Sequence, residues 1–200
     1  MAGPENFHRN GDALLIIDVQ LDFCPGGALP VPNGDEVVPV LNNWLAAAVE
    51  AGIPVYASRD WHPLSHPSFL ERDGRWPPHC IQESPGARFH PDLMLPRNSL
   101  MITKGTRFDQ DQSSVFDHTG FLQQLEYDQI KHLWIGGLAQ ETCVLASVLE
   151  ARNAVLAATV IAAATRPLTL EGGRRALEEM ARAGAEILLE AQHPGLARCR

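Results

Sequence analysis

Four cysteines in 200 residues, Cys24, Cys80, Cys143 and Cys199, form no CxxC pair and no framework spacing. That excludes a zinc finger and argues against a disulfide scaffold; it fits a reducing cytoplasm. Long apolar runs are missing too, so no segment predicts a membrane span. The opening stretch, MAGPENFHRNGD, is polar and lacks a signal-peptide core, which again predicts a cytoplasmic chain. Basic runs are scarce and the formal net charge is −8. Nucleic acid and anionic membrane are therefore not the expected partners. No GxGxxG follows the first apolar run, so a dinucleotide-binding enzyme is excluded. No repeat, low-complexity tract or linker divides the chain, which reads as a single domain, 1–200, with its core over about 13–189.

What is present is a rhythm. ALLIIDVQ (13–20) is a continuous apolar run of the kind a strand buried on both faces requires. A helix pattern over 36–52, ending in Gly52, leads to IPVYASRD (53–60). SLMITKG (99–105) and HLWIGGLA (132–139) read as further strands. ETCVLASVLEARNA (141–154) reads as a helix with Val144, Ser147, Val148 and Ala151 on one face. AVLAATVIAAA (154–164) reads as a fifth strand, RRALEEMARAG (174–184) as a helix and AEILLEA (185–191) as a sixth strand. The alternation predicts an α/β fold: a three-layer, doubly wound sheet of about six mostly parallel strands.

In such sheets ligands bind beyond the carboxyl ends of the strands. Those ends carry Asp18, Asp60 with His62, Lys104, and Cys143. Cys143 is placed to open a helix, where free N–H groups and the helix dipole lower a thiol's pKa from roughly 8.5; Lys104 would lower it further. Asp18 could then move the proton. Nucleophile, cation and general acid/base are all supplied. Taken one by one, a packed thiol, a surface lysine and a capping aspartate are the alternatives. Gly136 and Gly137 permit a close turn, after which the N–H groups of Ala139 and Cys143 could form an oxyanion hole.

Residues 60–98 break the rhythm. They hold Trp61, Trp76 and four histidines but no clear helix, which marks a functional loop. Asp60 and His62, two apart at a strand end, point the same way. With His79, and with His66 as a fourth candidate, they could hold one divalent ion in an open site suited to zinc, iron or manganese. Exposed loop histidines are the alternative, and His90 and His118 are read that way.

DVQLDFCPGG, RDWHPLSHPSF, WPPHCIQESPGARFHPDL, ITKGTRFD and GGLAQETCV, in this order, resemble the nicotinamidase branch of the isochorismatase-like cysteine hydrolases. The similarity runs from about Ala13 to Leu189. It implies a three-layer α/β fold and hydrolysis of nicotinamide to nicotinate and ammonia through a cysteine thioester, a step in NAD salvage. It also implies Cys143 as nucleophile, Asp18 as base, Lys104 as its charged partner, and Asp60, His62 and His79 as metal ligands, with His66 matching a fourth ligand of some members. A cis peptide at Leu138–Ala139 and ring contacts from Phe23 and Trp76 follow from the same resemblance. The chain departs from the family pattern at Thr142, where an aromatic or His is usual, at Ser113, in place of a Tyr, and at Ala163, in place of an Asp. The first two changes remove rings from the pocket and bear on the substrate. A sister amide or ureide hydrolase with the same triad is therefore the rival reading. A non-catalytic binding protein of the same fold would not need Asp18, Lys104 and Cys143 together. The expected partner is a small molecule; a homo-oligomer is admitted but not required.

Overall fold

The computed structural model describes Phe7 and residues 10–189; Cys199 and the last two residues of the expected sixth strand lie outside them. Strands β1 (Asp12–Ile17), β2 (Val55–Asp60), β3 (Leu100–Lys104), β4 (His132–Gly137), β5 (Ala157–Thr165) and β6 (Glu186–Leu188) form one sheet in the order β3-β2-β1-β4-β5-β6. Every pairing is parallel. The helices are α1 (Val37–Ala51), α2 (Phe121–Tyr127), α3 (Leu145–Asn153) and α4 (Leu170–Arg182).

Alternation along β1 builds both cores. Leu14 and Ile16 join Val38, Leu41, Trp44 and Ala48 of α1 on one face. Ala13, Leu15 and Ile17 meet Phe121, Val148 and Met180, from α2, α3 and α4, on the other. Because β1 is buried on both sides, every position along it is apolar or internally bonded. At its amino end the buried Asp12 carboxylate accepts the Trp134 indole N–H at 2.9 Å. Helix α1 stops where Gly52 turns left-handed, φ 70°, and donates its N–H to Ala48 and Val49.

Two shifts of boundary have a local cause, and one helix went unread. β5 starts at Ala157 because Ala154 and Val155 belong to the turn leaving α3; Val155, 88% exposed, sits at φ 63°. α4 starts at Leu170, ahead of the Gly172–Gly173 pair that hid its first turn, because Thr169 caps it by accepting the Gly172 N–H at 3.0 Å. α2 went unread: seven residues with two buried anchors, Phe121 and Leu125, are too short to show a period.

Direction reverses between β1 and β4, since chain order runs outward to β3 on one side and to β6 on the other. The crevice at such a switch point is where ligands settle. The crossover from β2 to β3 contains no α-helix, only a 3₁₀ turn at Leu70–Arg72. It is nonetheless ordered by backbone bonds: His62 N–H to Cys80, Gln82 N–H to His62, and Trp76 N–H to Ser68.

Candidate active site

Strand register assembles the first part of the site. Ile17 lies beside Ser58 on one side and Gly137 on the other, so Asp18, the next residue, emerges between three strand ends. Gly137 must be glycine: a Cβ there would lie 2.0 Å from the Ile17 carbonyl oxygen. Asp60 and Lys104 are register partners at the ends of β2 and β3. Lys104, wholly buried, reaches across the end of β2. Its Nζ lies 2.6 Å from Asp60 Oδ1, 2.8 Å from Asp18 Oδ2 and 3.3 Å from Cys143 Sγ. Ser58 Oγ donates to Asp18 Oδ1 at 2.7 Å.

Cys143 sits in a π-helical turn, Gln140–Val144, that leads into α3. Ser147 fixes this turn by donating to the Cys143 carbonyl at 2.7 Å while accepting the Val115 N–H at 3.1 Å. Glu141 ties it to the loop before α4, accepting the N–H groups of Leu168 and Thr169 at 2.9 Å each. The Leu138–Ala139 peptide is cis. Ala139 lines the same cavity as Cys143, and its N–H has no hydrogen-bond partner among the described residues.

The electrostatics differ from the reading of a helix-end thiolate. Burial dominates at Cys143 and raises the thiol well above its usual value; Lys104 opposes this, and Asp18 and Asp60 add to it. The raised value makes the thiol the resting form, and its sulfur accepts from Lys104 Nζ at 3.3 Å. The helix end and lysine do not overcome desolvation by the wall of the sheet. Burial likewise raises Asp18, against the pull of Lys104. At Lys104 burial works downward, but Asp18 and Asp60 override it and hold the ammonium well above the usual range. At Asp60 burial works upward, and Lys104 followed by His62 overcomes it, so this carboxyl is lowered. One cation thus stands between two buried carboxylates, of which Asp60 is lowered and Asp18 raised. Asp18 and Cys143 are left with raised proton affinities.

The second part of the site is a donor cluster. One oxygen of Asp60 and one ring nitrogen each from His62 and His79 lie within 4.8 Å of one another. His62 Nδ1 is 3.0 Å from the His79 carbonyl, and His79 Nδ1 is 2.7 Å from the Pro77 carbonyl. A carbonyl only accepts, so both Nδ1 atoms carry the proton and both Nε2 atoms present a lone pair. His66 Nδ1 is bonded to Ser68 Oγ at 2.7 Å, while its Nε2 is buried without a partner among the described residues. Burial followed by repulsion from His62 lowers His79, and lowers His66 to about 4, so both rings are neutral. Neutral imidazoles, a carboxylate and an orphaned buried nitrogen fit a divalent cation. Gly105, at φ 68°, makes room for the cluster, since a Cβ would stand 2.5 Å from His62 Nε2. A second combination, His62, His66 and Asp111, also brings donors together, but Asp111 is exposed.

Both parts face one cavity of about 430 Å³. Phe23 and Trp76 line it next to His79; the Phe23 and His79 rings are 5.4 Å apart. Phe69, 5.4 to 5.7 Å from all three histidine rings, packs beneath the cluster.

Several of these residues escaped sequence reading. Ser58 and Ser68 are common residue types whose partners only proximity reveals. Gln20, wholly buried, accepts the Asp60 N–H at 2.8 Å and donates to the carbonyls of Asp60 and Ala87 at 2.8 and 2.9 Å. A polar residue three past the end of a buried strand was the available signal. Asp60 was read as a metal ligand only; it is also the tightest partner of Lys104.

The isochorismatase domain matches residues 12–192. The nicotinamidase of Escherichia coli K12 is 35% identical over 198 residues, with 88% of this chain and 93% of that protein covered. Among solved structures, the pyrazinamidase of Pyrococcus horikoshii in complex with zinc superposes with a TM-score of 0.86 at 40% identity, covering 89% of this chain and 98% of the other. PnC1 of L. infantum in complex with nicotinate superposes with a TM-score of 0.83 at 30% identity, covering 90% and 93%.

Proposed function

The chain belongs to the isochorismatase family, and from that premise we propose that it hydrolyses nicotinamide to nicotinate and ammonia through a thioester on Cys143. The observation that carries the reading is Lys104 Nζ held between Asp18, Asp60 and Cys143, the last two of which line the cavity.

The raised proton affinities of Asp18 and Cys143 define the steps. Asp18 takes the thiol proton as Sγ attacks the carboxamide carbon. The oxyanion that forms is met by the N–H groups of Ala139 and Cys143. Lys104 keeps the nascent thiolate and Asp60 neutralised at a distance where burial makes charge effective. Asp18 then returns its proton to the nitrogen as the C–N bond breaks and ammonia leaves. A water, deprotonated by Asp18, attacks the thioester; nicotinate departs and the thiol is restored. One substrate and one water are consumed, and the enzyme ends as it began.

Phe23 and Trp76 would flank the flat pyridine ring. Asp60, His62 and His79, with His66 as a fourth candidate, would hold a divalent cation, zinc by the nature of the donor set, with iron or manganese as alternatives. Such an ion supplies a Lewis-acidic anchor for the ring nitrogen. Three described cysteines, Cys24, Cys80 and Cys143, are free thiols, in keeping with a reducing compartment such as the cytoplasm. Among the described residues no helix is long and apolar enough to cross a membrane.

The test is ammonia release from nicotinamide by the purified protein, with Cys143→Ala as control. Release by the first and none by the second is the expected result. Release by both would remove Cys143 from its role. Release by neither, from folded protein with its metal, would move the assignment to a sister amide or ureide hydrolase.

A further inference from the structure

We propose that Asp22 is a positioning residue for the metal site. Acting through the His79–Cys80 peptide, it fixes how His79 presents its free nitrogen and ties that ligand to the wall carrying Phe23. The inference rests on the reading of Asp60, His62 and His79 as ligands of a divalent cation, and adds to it a residue outside the donor set.

The segment after β1 joins the two parts of the site. Asp18 opens it and faces Lys104; Phe23 closes it and lines the cavity. Between them stand two polar side chains that the hydrolytic steps leave unused. The buried Gln20 bonds both backbone groups of Asp60, accepting its N–H and donating to its carbonyl at 2.8 Å each. Asp22, two residues on, serves the other end of the donor set in the same way. Its Oδ2 accepts the Cys80 N–H at 2.7 Å, while its Oδ1 accepts the Ala28 N–H at 3.1 Å.

Cys80 is where such a hold is needed. It directly follows His79, is wholly buried and sits at φ 45°. A residue with a side chain persists in this left-handed conformation when its surroundings over-determine it. Here they do. The Cys80 carbonyl accepts the His62 N–H at 2.8 Å, and the His79 carbonyl accepts from His62 Nδ1 at 3.0 Å. The one polar group of the His79–Cys80 peptide left over is the Cys80 N–H, and it meets a carboxylate, the shorter and stronger class of acceptor. With that peptide held on both edges, the His79 donor keeps its place within 4.8 Å of those of Asp60 and His62.

The chain around Asp22 is shaped for its carboxylate. Gly86 packs against it so closely that a Cβ there would lie 2.1 Å from Oδ1 and 2.2 Å from Oδ2. The Gly86 carbonyl in turn accepts the Asp22 N–H at 2.9 Å. On its other side the Asp22 carbonyl accepts the N–H of Leu29, a residue of the cavity wall, at 3.0 Å. One aspartate thus meets the metal-bearing loop, the chain returning from it and the wall of the pocket.

Zinc affinity is measured by chelator competition, and ligand geometry by visible absorption of the cobalt-substituted protein. The proteins are wild type, Asp22→Ala, which removes both acceptors, Asp22→Asn, which keeps one, and Gly86→Ala, which leaves Asp22 in place and displaces its carboxylate. Tyr56→Phe, which loses a bond to Asp128 at the opposite end of β2, is the control for lowered stability alone. Affinity should fall about ten- to hundredfold in Asp22→Ala or Gly86→Ala, the range for residues that orient metal ligands, with shifted cobalt bands and Asp22→Asn in between. The control should keep both affinity and spectrum. In metal-free wild type the Cys80 amide should exchange slowly with solvent, because its bond to Asp22 needs no metal. Losses below tenfold in every folded variant overturn the positioning role and leave the ligand set intact. An equal loss in Tyr56→Phe overturns it as a mere effect of stability. Fast exchange at Cys80 overturns it whether or not the variants fold. A wild type that binds no stoichiometric metal overturns the ligand reading as well.

Discussion

Lys104→Met removes one cation from between two buried carboxylates while keeping most of the side-chain volume. Lys104 and Asp18 are wholly buried and Asp60 is 4% exposed, so little water can replace what is lost. Nζ lies 2.6 Å from Asp60 and 2.8 Å from Asp18. Breaking a buried pair from one side costs about 3–5 kcal/mol, chiefly the penalty of the stranded charge. Here two carboxylates are stranded, and Asp18 has an exit: its proton affinity is already raised by burial, and Lys104 is the group opposing that rise. Without Lys104 the folded-state pKa of Asp18 climbs further above its unfolded value of 3.8. The native state then binds more protons than the unfolded state, so the contribution of this group is present at low pH and lost as pH rises through the folded value. Urea unfolding should therefore show a loss of about 3–5 kcal/mol at pH 8 that narrows by pH 5. Activity on nicotinamide should fall by about 10²–10³-fold or more, the scale for removing one electrostatic stabiliser from a dry site. Adding Asp18→Asn should restore part of the stability, roughly 1–3 kcal/mol, and none of the activity. Stability within 1 kcal/mol of wild type at pH 8, or strictly additive losses in the double variant, would refute the picture of one lysine serving two buried carboxylates.

Ser58→Ala deletes the bond that orients Asp18. It should lower kcat by about tenfold and stability by about 1–2 kcal/mol, with KM little changed; a rise in KM alone would count against an orienting role. Asp60→Ala should lose bound metal and substrate affinity together, and a normal metal stoichiometry by atomic emission would sink the ligand assignment. Gly105→Ala forces a Cβ toward His62 Nε2 at a left-handed position, so metal affinity should fall tenfold or more with a stability loss of about 1 kcal/mol. Unaltered metal retention in chelator would show that the cluster tolerates the displacement.

Much of this was legible in the chain itself. The central strands could be read because a strand buried on both faces is a near-continuous apolar run, as Ala13–Ile17 of β1 is. The strand ends then nominated Asp18, Asp60, Lys104 and Cys143, since a polar residue directly after such a run lands on one edge of the sheet. Helix ends were legible where a local device marked them, as at Gly52, and obscured where glycines or short length hid them, as in α4 and α2. Other features belong to the tertiary structure alone. That Lys104 serves Asp60 as well as Asp18 depends on the register of β2 against β3, and register is a long-range pairing that no local pattern encodes. That Ser58 holds Asp18 depends on β1 lying beside β2. The protonated state of Cys143 depends on how much protein surrounds it: a helix start seen in sequence suggests a thiolate, and burial against the sheet reverses the sign. Sequence chose the chemical groups at one edge of the sheet; packing decided their partners and their charge.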